Sequence, residues 1–269
     1  MIEFSSVSKT YPSGQVAVRD FSLIIPSHSI TTIVGSSGSG KTTLLRMINR
    51  MVTPSSGQML IDDEDVATVD PIQLRRRIGY VLQEGGLLPH RTIIDNVTTV
   101  LRLQKVGKRE ARERGMEMMK IVGLDTSLAT RYPSELSGGQ VQRAGVARAL
   151  VTRPNIMLMD EPFGAVDPIV RRELQDELLR IHTELGTTIV FITHDIDEAL
   201  RLGEQIVIMS QGGVVEQIGT PEEILTKPAN DFVANFIGIN EERTSITTAQ
   251  VGNKVIAYDS LGRPLGVLR

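Results

Sequence analysis

The chain has 269 residues, 41% of them hydrophobic and 23% charged, which suits one large globular domain or a domain with a small appendage. Its 29 Lys and Arg against 32 Asp and Glu give a formal net charge of −3, so it lacks the basic excess that a nucleic-acid surface normally needs. There is no cysteine, which excludes disulfides, thiol catalysis and zinc–thiolate sites and favours a reducing cytoplasm.

The amino-terminal residues show no secretory signal, because no basic flank precedes an apolar stretch. No window of the sequence approaches the roughly 20 apolar residues that span a bilayer. We therefore expect that, if the protein acts at a membrane, another chain brings it there.

The first part of the chain is predicted to be rich in strands. Apolar and polar residues alternate over Ile2–Ser8, and a longer mixed run covers Val16–Ile25, with a Tyr-Pro-Ser-Gly turn between them. The β-branched run Ile30–Val34 suits a strand that is buried on both faces of a parallel sheet. A glycine–serine loop follows, and Thr42–Met51 has the spacing of a helix.

The rest of the chain is predicted to alternate between helices and strands. Residues 71–123 are charged and helix-rich, with one helix over Lys108–Val122. Further along, the pattern predicts helices over 137–150, 170–185 and 195–202, and strands over 156–159, 188–193 and 205–209. This alternation indicates a three-layer α/β core with a mostly parallel sheet, into which residues 85–153 insert a helical subdomain.

The glycine–serine loop fits a phosphate-binding motif. Residues 35–42 read Gly-Ser-Ser-Gly-Ser-Gly-Lys-Thr, the full pattern G-x-x-x-x-G-K-[ST], between a buried strand and a helix. Glycines let several backbone N–H groups point at one anion, and the following helix adds its positive dipole end. Lys41 is expected to contact the terminal phosphates, and the Thr42 hydroxyl can bind magnesium. The motif alone does not separate a kinase, a GTPase and a transport ATPase.

Two acidic residues end an apolar strand in the run Ile156-Met-Leu-Met-Asp160-Glu161. Because ligands gather at the carboxyl ends of parallel strands, Asp160 can hold magnesium there and Glu161 can polarise an attacking water. The alternative is an acidic helix N-cap, since Pro162 follows. A pair of acids in a chain with a phosphate loop favours the magnesium site.

Two further polar residues follow apolar runs. His194 follows Thr188–Thr193, where its imidazole can contact the terminal phosphate and hold Glu161 and the water in line. The alternative is a structural histidine. Gln83 closes the apolar run Ile78–Leu82, and its amide can ligate magnesium weakly and so sense the nucleotide; the alternative is a plain polar loop residue.

The run Leu136-Ser-Gly-Gly-Gln140 predicts a second anion nest, because two glycines precede a helix and Ser137 adds a hydroxyl group. One chain does not need two nests for one nucleotide, whereas two chains facing head to tail do, since each then closes the other's site. With this run, residues 1–238 resemble the ATP-binding cassette (ABC) family, whose motifs appear in the order phosphate loop, Gln83, LSGGQ, Asp160–Glu161, Gly164-Ala-Val-Asp167 and His194.

The resemblance implies a fold and a set of site residues. The fold is an α/β P-loop NTPase core with a mixed, mostly parallel sheet, an N-terminal antiparallel β part and the inserted α-helical subdomain. The catalytic residues are Glu161 as general base and His194 as phosphate-sensing switch. Nucleotide contacts are expected from Tyr11, which stacks on adenine, and from Gly35, Ser36, Ser37, Gly38, Ser39, Gly40, Lys41, Thr42, Thr43 and Gln83. Magnesium is expected at Thr42, Gln83 and Asp160, and contacts to a partner subunit's nucleotide from Ser137, Gly138, Gly139, Gln140 and Asp167.

The resemblance also implies a mechanism and partners. ATP with Mg²⁺ joins two copies of the chain, or one copy and a second ABC ATPase, and hydrolysis opens the dimer again. The motion passes to transmembrane permease subunits through grooves near Gln83 and the helical subdomain. We therefore expect a peripheral protein on the cytoplasmic face of the cell membrane, with a periplasmic or lipid-anchored solute-binding protein as a further partner and no nucleic acid.

Two stretches, 84–97 and 165–178, look most like importers of quaternary amines such as glycine betaine, carnitine and choline. Importers of phosphonates, methionine or polar amino acids are less similar alternatives. A soluble ABC ATPase of translation or DNA repair usually carries two cassettes or a long coiled coil, and neither pattern is present here. A kinase-like enzyme would leave LSGGQ without a role.

Residues 239–269 form a tail of different character. Two apolar runs around a Ser-Leu-Gly-Arg turn predict a hairpin, which resembles a strand pair of a CBS regulatory module. About 30 residues are too few for a full module. A remnant, a dimerisation strand and a truncated module all remain open.

Overall fold

The computed structural model of the protein describes residues 1–83, 85–164, 166–239, 247–251, 254–258 and 264–268. The strands in these ranges are β1 (Ile2–Thr10), β2 (Val16–Ile25), β3 (Ile30–Gly35), β4 (Ser56–Ile61), β5 (Glu64–Asp65), β6 (Ile78–Val81), β7 (Ile156–Asp160), β8 (Thr188–Thr193), β9 (Gln205–Ser210), β10 (Val214–Gly219), β11 (Thr247–Val251), β12 (Lys254–Tyr258) and β13 (Pro264–Leu268). The helices are α1 (Lys41–Ile48), α2 (Pro71–Arg77), α3 (Ile93–Val97), α4 (Thr99–Leu103), α5 (Lys108–Ile121), α6 (Gly138–Leu150), α7 (Pro168–Leu185), α8 (Ile196–Leu202), α9 (Pro221–Thr226) and α10 (Asp231–Phe236), with short 3₁₀ helices at Thr126–Thr130 and Pro133–Glu135.

A mixed sheet of six strands, in the order β10-β9-β3-β8-β7-β6, forms the centre of the molecule. The strands from β9 to β6 run parallel, and β10 pairs antiparallel with β9. Every residue of β3, β7 and β8 is buried, as their mostly apolar sequences predict for strands covered on both faces. The predicted α/β class with a mostly parallel sheet is confirmed.

The two faces of this sheet bury different partners, because successive side chains of a strand point to opposite faces. Ile156 and Leu158 of β7 pack with α1 and with the antiparallel sheet β2-β1-β4-β5, in which the rings of Phe4 and Phe21 meet edge to face at 5.1 Å. Met157 of β7 packs on the other face, against helices that include α6 and α7. The antiparallel N-terminal part of the predicted fold is therefore confirmed.

A helical region containing α3 to α6 lies between β6 and β7, as the predicted inserted helical subdomain requires. Ala111, Met118 and Met119 on one side of α5 are buried in the same apolar cluster as Leu150 of α6. The amino terminus of α6 is instead exposed, which leaves the Ser137–Gln140 turn at the surface.

Several elements differ from the sequence expectations. The helix predicted over 42–51 ends at Ile48, and strand β6 lies inside the range expected to be helix-rich. Strands β4, β5, β10 and β11 were not predicted; β4 and β10 are half-exposed and have mixed sequences without an alternating pattern. In the tail, β12 and β13 pair antiparallel as expected, whereas their connecting turn at 259–263 lies outside the described residues. No helix within the described ranges is both long and apolar enough to cross a membrane.

Candidate functional site

The phosphate loop connects the buried end of β3 to the start of α1. Gly38 and Gly40 have φ angles of +80° and +92°, in the left-handed region that favours glycine. A Cβ atom on Gly40 would lie 2.2 Å from the Ala17 carbonyl oxygen, so no side chain fits there. Gly40 caps α1 without a side-chain hydrogen bond, which leaves the N–H groups of the first turn to an anion.

The Lys41 side chain is folded into this loop and is only 5% exposed. Its Nζ donates to the carbonyl oxygens of Gly35 at 2.8 Å and Ser36 at 2.9 Å. Burial lowers the pKa of this ammonium group, and the nearby charges of Glu161 and Asp160 oppose that shift. A phosphate group would offer Lys41 anionic acceptors in place of neutral carbonyls, and charge-assisted hydrogen bonds are the stronger ones.

Asp160 meets the phosphate loop directly. It ends β7, and the Thr42 hydroxyl donates to its Oδ1 at 3.1 Å. Burial raises the pKa of Asp160, and the hydrogen bond from Thr42 opposes that shift. The two residues are 118 positions apart in sequence, and the parallel order of β3, β8 and β7 brings the ends of their elements together.

Glu161 and His194 form the second pair of the site. Glu161 has a φ angle of +46°, a left-handed conformation that costs a non-glycine residue about 1–2 kcal/mol. Its N–H donates to the Ile192 carbonyl oxygen at 3.0 Å, and its Oε2 lies 3.0 Å from Nδ1 of His194. Strained backbone of this kind is concentrated at functional sites. The strained turn at the end of β7 thus holds the carboxylate beside the imidazole that follows β8.

A cavity of about 210 Å³ lies beside the phosphate loop. It is lined by Tyr11, Gln15, Ala17, the loop residues 37–43 and Glu161. The Tyr11 hydroxyl lies 3.3 Å from the Thr43 hydroxyl, which attaches the aromatic ring to the start of α1. A larger cavity of about 390 Å³ lies at the amino ends of β6 and β7, and none of the predicted site residues lines it.

Gln83 lies two residues beyond β6 and is exposed. Its Nε2 faces Gly164 in the loop after Glu161, where a Cβ atom built on the glycine would lie 3.6 Å away. The structure therefore places Gln83 beside the loop that follows the acidic pair. Glu84 and Ala165, which begin the two stretches that resemble quaternary-amine importers, lie outside the described residues.

The second glycine nest lies apart from this cavity. Ser137 caps α6 through a reciprocal pair of hydrogen bonds with Gln140, and both Ser137 and Gly138 are exposed. A Cβ atom on Gly139 would lie 2.6 Å from Cγ1 of Val170, so the nest packs against the start of α7, which Asp167 caps. None of these residues lines the phosphate-loop cavity of the same chain.

Comparison with known proteins identifies the family to which this chain belongs. The ABC transporter family profile matches residues 18–164, which is more than half of the chain. The chain belongs to the ABC transporter family. The carnitine transport ATP-binding protein OpuCA of Listeria monocytogenes is 48% identical over 257 residues, which cover 94% of this chain and 64% of that protein.

Two further members of the ABC transporter family extend the comparison. The glycine betaine uptake system ATP-binding protein YehX of Escherichia coli K12 is 51% identical over 241 residues, covering 90% of this chain and 78% of that protein. The dimeric ABC cassette MJ0796, solved in a post-hydrolysis state with ADP and phosphate, superposes with a TM-score of 0.75 at 35% identity and covers 82% of this chain and 99% of that chain. The present chain spans only 64% of the length of the Listeria relative.

The donor set of this ABC cassette fits a magnesium ion. Mg²⁺ takes oxygen ligands and is usually bound by one or two carboxylates together with substrate phosphates. Thr42 and Asp160 supply two oxygen donors at the edge of the phosphate loop. In the described ranges no group of three or more acidic or histidine side chains could hold a metal by itself.

Three residues near this ABC site had no role in the sequence expectations. Gln15 lines the phosphate-loop cavity and accepts the Tyr11 N–H through its carbonyl oxygen at 2.9 Å. Tyr80 donates its hydroxyl to Oδ2 of Asp160 at 3.4 Å, and the Arg46 charge lies close to both. A tyrosine in an otherwise aliphatic strand was the available signal for Tyr80, since a half-buried phenol needs a hydrogen-bond partner.

Proposed function

We propose that this chain is the ATP-hydrolysing subunit of an ABC importer that energises uptake of a quaternary-amine osmoprotectant. The observation that carries the proposal is the pairing of Asp160 with Thr42 and of Glu161 with His194 at one edge of the sheet. Beside the phosphate loop, one carboxylate contacts a hydroxyl group and the other contacts an imidazole. This arrangement suits the positioning of reactants and the stabilisation of charge, which are the main protein contributions to phosphoryl transfer.

In this proposal each residue of the site has one task. The loop N–H groups and Lys41 bind the β- and γ-phosphates, and Tyr11 stacks on the adenine. Glu161 accepts the proton of the attacking water, and His194 keeps that carboxylate in place through the contact at 3.0 Å. Thr42 and Asp160 would hold Mg²⁺, which when bound supplies charge neutralisation for the phosphate oxygens.

The site is completed by a second chain. Ser137, Gly138 and Gly139 present an exposed helix terminus that does not reach the cavity of its own chain. We propose that these residues, with Gln140 and Asp167, contact the γ-phosphate bound by a partner, either a second copy or another ABC ATPase. The dimeric form of the cassette MJ0796 supports this arrangement.

The transported solute and the membrane partners follow from the relatives. Proteins named for carnitine and for glycine betaine transport are 48% and 51% identical to this chain over most of its length. We propose that the chain works with permease subunits and a solute-binding protein, as a peripheral subunit at the cytoplasmic face of the membrane. Gln83 is the proposed link from the nucleotide to the permease.

Reconstitution tests both parts of the proposal. The chain is co-purified with its candidate permease and solute-binding subunits, and uptake of labelled glycine betaine, carnitine and choline into proteoliposomes is measured. The expected result is ATP-dependent uptake of at least one quaternary amine and none of methionine or a phosphonate. The control is Glu222→Gln, at an exposed glutamate on α9 outside both the site and the helical subdomain, which should transport normally.

The two parts of the proposal fail in different ways. ATP-driven uptake of methionine or a phosphonate without any quaternary amine would overturn the solute assignment and leave the ATPase assignment intact. Binding of ATP without hydrolysis by the complete assembly would overturn the enzymatic role itself.

A further inference from the structure

The carboxylate of Asp160 is held at both of its oxygen atoms. The Thr42 hydroxyl donates to Oδ1 at 3.1 Å, and the Tyr80 hydroxyl donates to Oδ2 at 3.4 Å. These donors come from different elements, since Thr42 belongs to α1 and Tyr80 to the edge strand β6. Thr42 is part of the phosphate-loop motif, whereas Tyr80 belongs to none of the motifs in the sequence.

The fold gives the Tyr80 ring little freedom. Strand β6 runs parallel to β7, with Tyr80 opposite Leu158, two residues before Asp160. The ring packs against the apolar cluster between the two sheets, and the Arg46 charge lies beside the hydroxyl. A phenol with a packed ring and a polar tip at the edge of a site makes a rigid donor.

We infer that Tyr80 is a positioning residue for the carboxylate that binds the metal. One donor leaves the carboxylate free to rotate about its Cβ–Cγ bond, whereas two donors from opposite sides fix its plane. The inference deepens the proposed function and rests on it, because the plane matters only when Asp160 takes part in holding Mg²⁺. Tyr80 also precedes Gln83 by three residues, so one short segment carries both the support for Asp160 and the proposed contact to the permease.

The substitution Tyr80→Phe tests the inference, since it keeps the ring and its packing and removes only the donor. A hydrogen bond to a charged group is stronger than one between neutral groups, but the contact of 3.4 Å is a long one, so we expect about a fivefold to tenfold loss of metal affinity. Binding of Mn²⁺ in the presence of ADP, measured by electron paramagnetic resonance, should weaken by that factor. The Mg²⁺ concentration for half-maximal ATPase activity should rise equally, with kcat at saturating Mg²⁺ changed less than about twofold.

Two comparisons separate positioning from a general loss of structure. Tyr132→Phe, at an exposed tyrosine just before the 3₁₀ helix at Pro133–Glu135, is the matched control and should leave Mn²⁺ binding unchanged. Metal-free ADP binding of Tyr80→Phe should equal that of the wild type. Wild-type Mn²⁺ affinity in Tyr80→Phe, or an equal loss of metal-free ADP binding, would overturn the inference. Failure of the wild-type chain to bind Mn²⁺ with ADP would instead overturn the proposed function, and the inference with it.

Discussion

Replacement of Glu161 by Gln gives the sharpest test of the catalytic assignment. The amide keeps the volume of the side chain and can still accept a hydrogen bond from His194, whose Nδ1 lies 3.0 Å from Oε2. The binding surface of the phosphate loop is therefore unchanged, and the affinity for ATP should stay within about threefold, or roughly 0.6 kcal/mol. What is lost is basicity, because an amide cannot take the proton of the attacking water.

The size of the expected effect follows from that loss. A positioned general base contributes about 10²–10⁴-fold to a rate, so kcat should fall by at least about 100-fold, or 2.7 kcal/mol. Phosphate release at saturating ATP and Mg²⁺ measures kcat, and equilibrium binding of a fluorescent ATP analogue measures affinity. Light scattering of Glu161→Gln in excess ATP and Mg²⁺ should detect a dimer, because the closed state no longer turns over.

Glu113→Gln, on an exposed helix surface, serves as the matched control and should keep the wild-type kcat. A Glu161→Gln variant with kcat within about tenfold of wild type would refute the assignment of Glu161 as general base. A large fall in ATP affinity would refute the view that this carboxylate acts on water and not on binding.

Two further substitutions probe other parts of the chain. Ser137→Arg should leave ATP binding intact and lower hydrolysis by more than about tenfold, because it fills the exposed nest that faces the partner's phosphate; Ser137→Ala, which also removes the N-cap at a cost of about 1 kcal/mol, controls for stability, and equal activity of the Arg variant and wild type would contradict the shared site. Glu198 is 5% exposed and burial raises its pKa, so the folded state binds its proton more tightly than the unfolded state does. Its contribution to the free energy of unfolding is therefore largest below the ordinary glutamate pKa and is lost as pH rises through the raised value. Urea unfolding across pH 4–8 should show the wild type losing stability relative to Glu198→Gln as pH rises, because about one proton is linked to unfolding. A difference in stability that does not change with pH would contradict the raised pKa of Glu198.

The sequence by itself determined the fold class and the chemical parts of the site. The phosphate loop needs its glycines because only they accept the φ angles at Gly38 and Gly40, so the backbone requirement is visible as residue type. The strand that ends at Asp160 and the strand that precedes His194 are short, mostly apolar runs with polar ends, and that pattern is typical of central parallel strands. The sequence was therefore sufficient to predict those features in which one short segment supplies both the backbone conformation and the functional groups.

The tertiary structure alone decided which of these parts meet. Thr42 contacts Asp160 across 118 positions, and Glu161 contacts His194 across 33, because the strand order of the sheet places the ends of their elements together. Strand order depends on packing between distant segments, and no single stretch of sequence encodes it. The same holds for Tyr80, a residue outside every motif that reaches Asp160 only because β6 is hydrogen-bonded to β7. Half-exposed strands such as β4 and β10 were missed for a related reason, since their pairing partners stabilise them more than their own residues do.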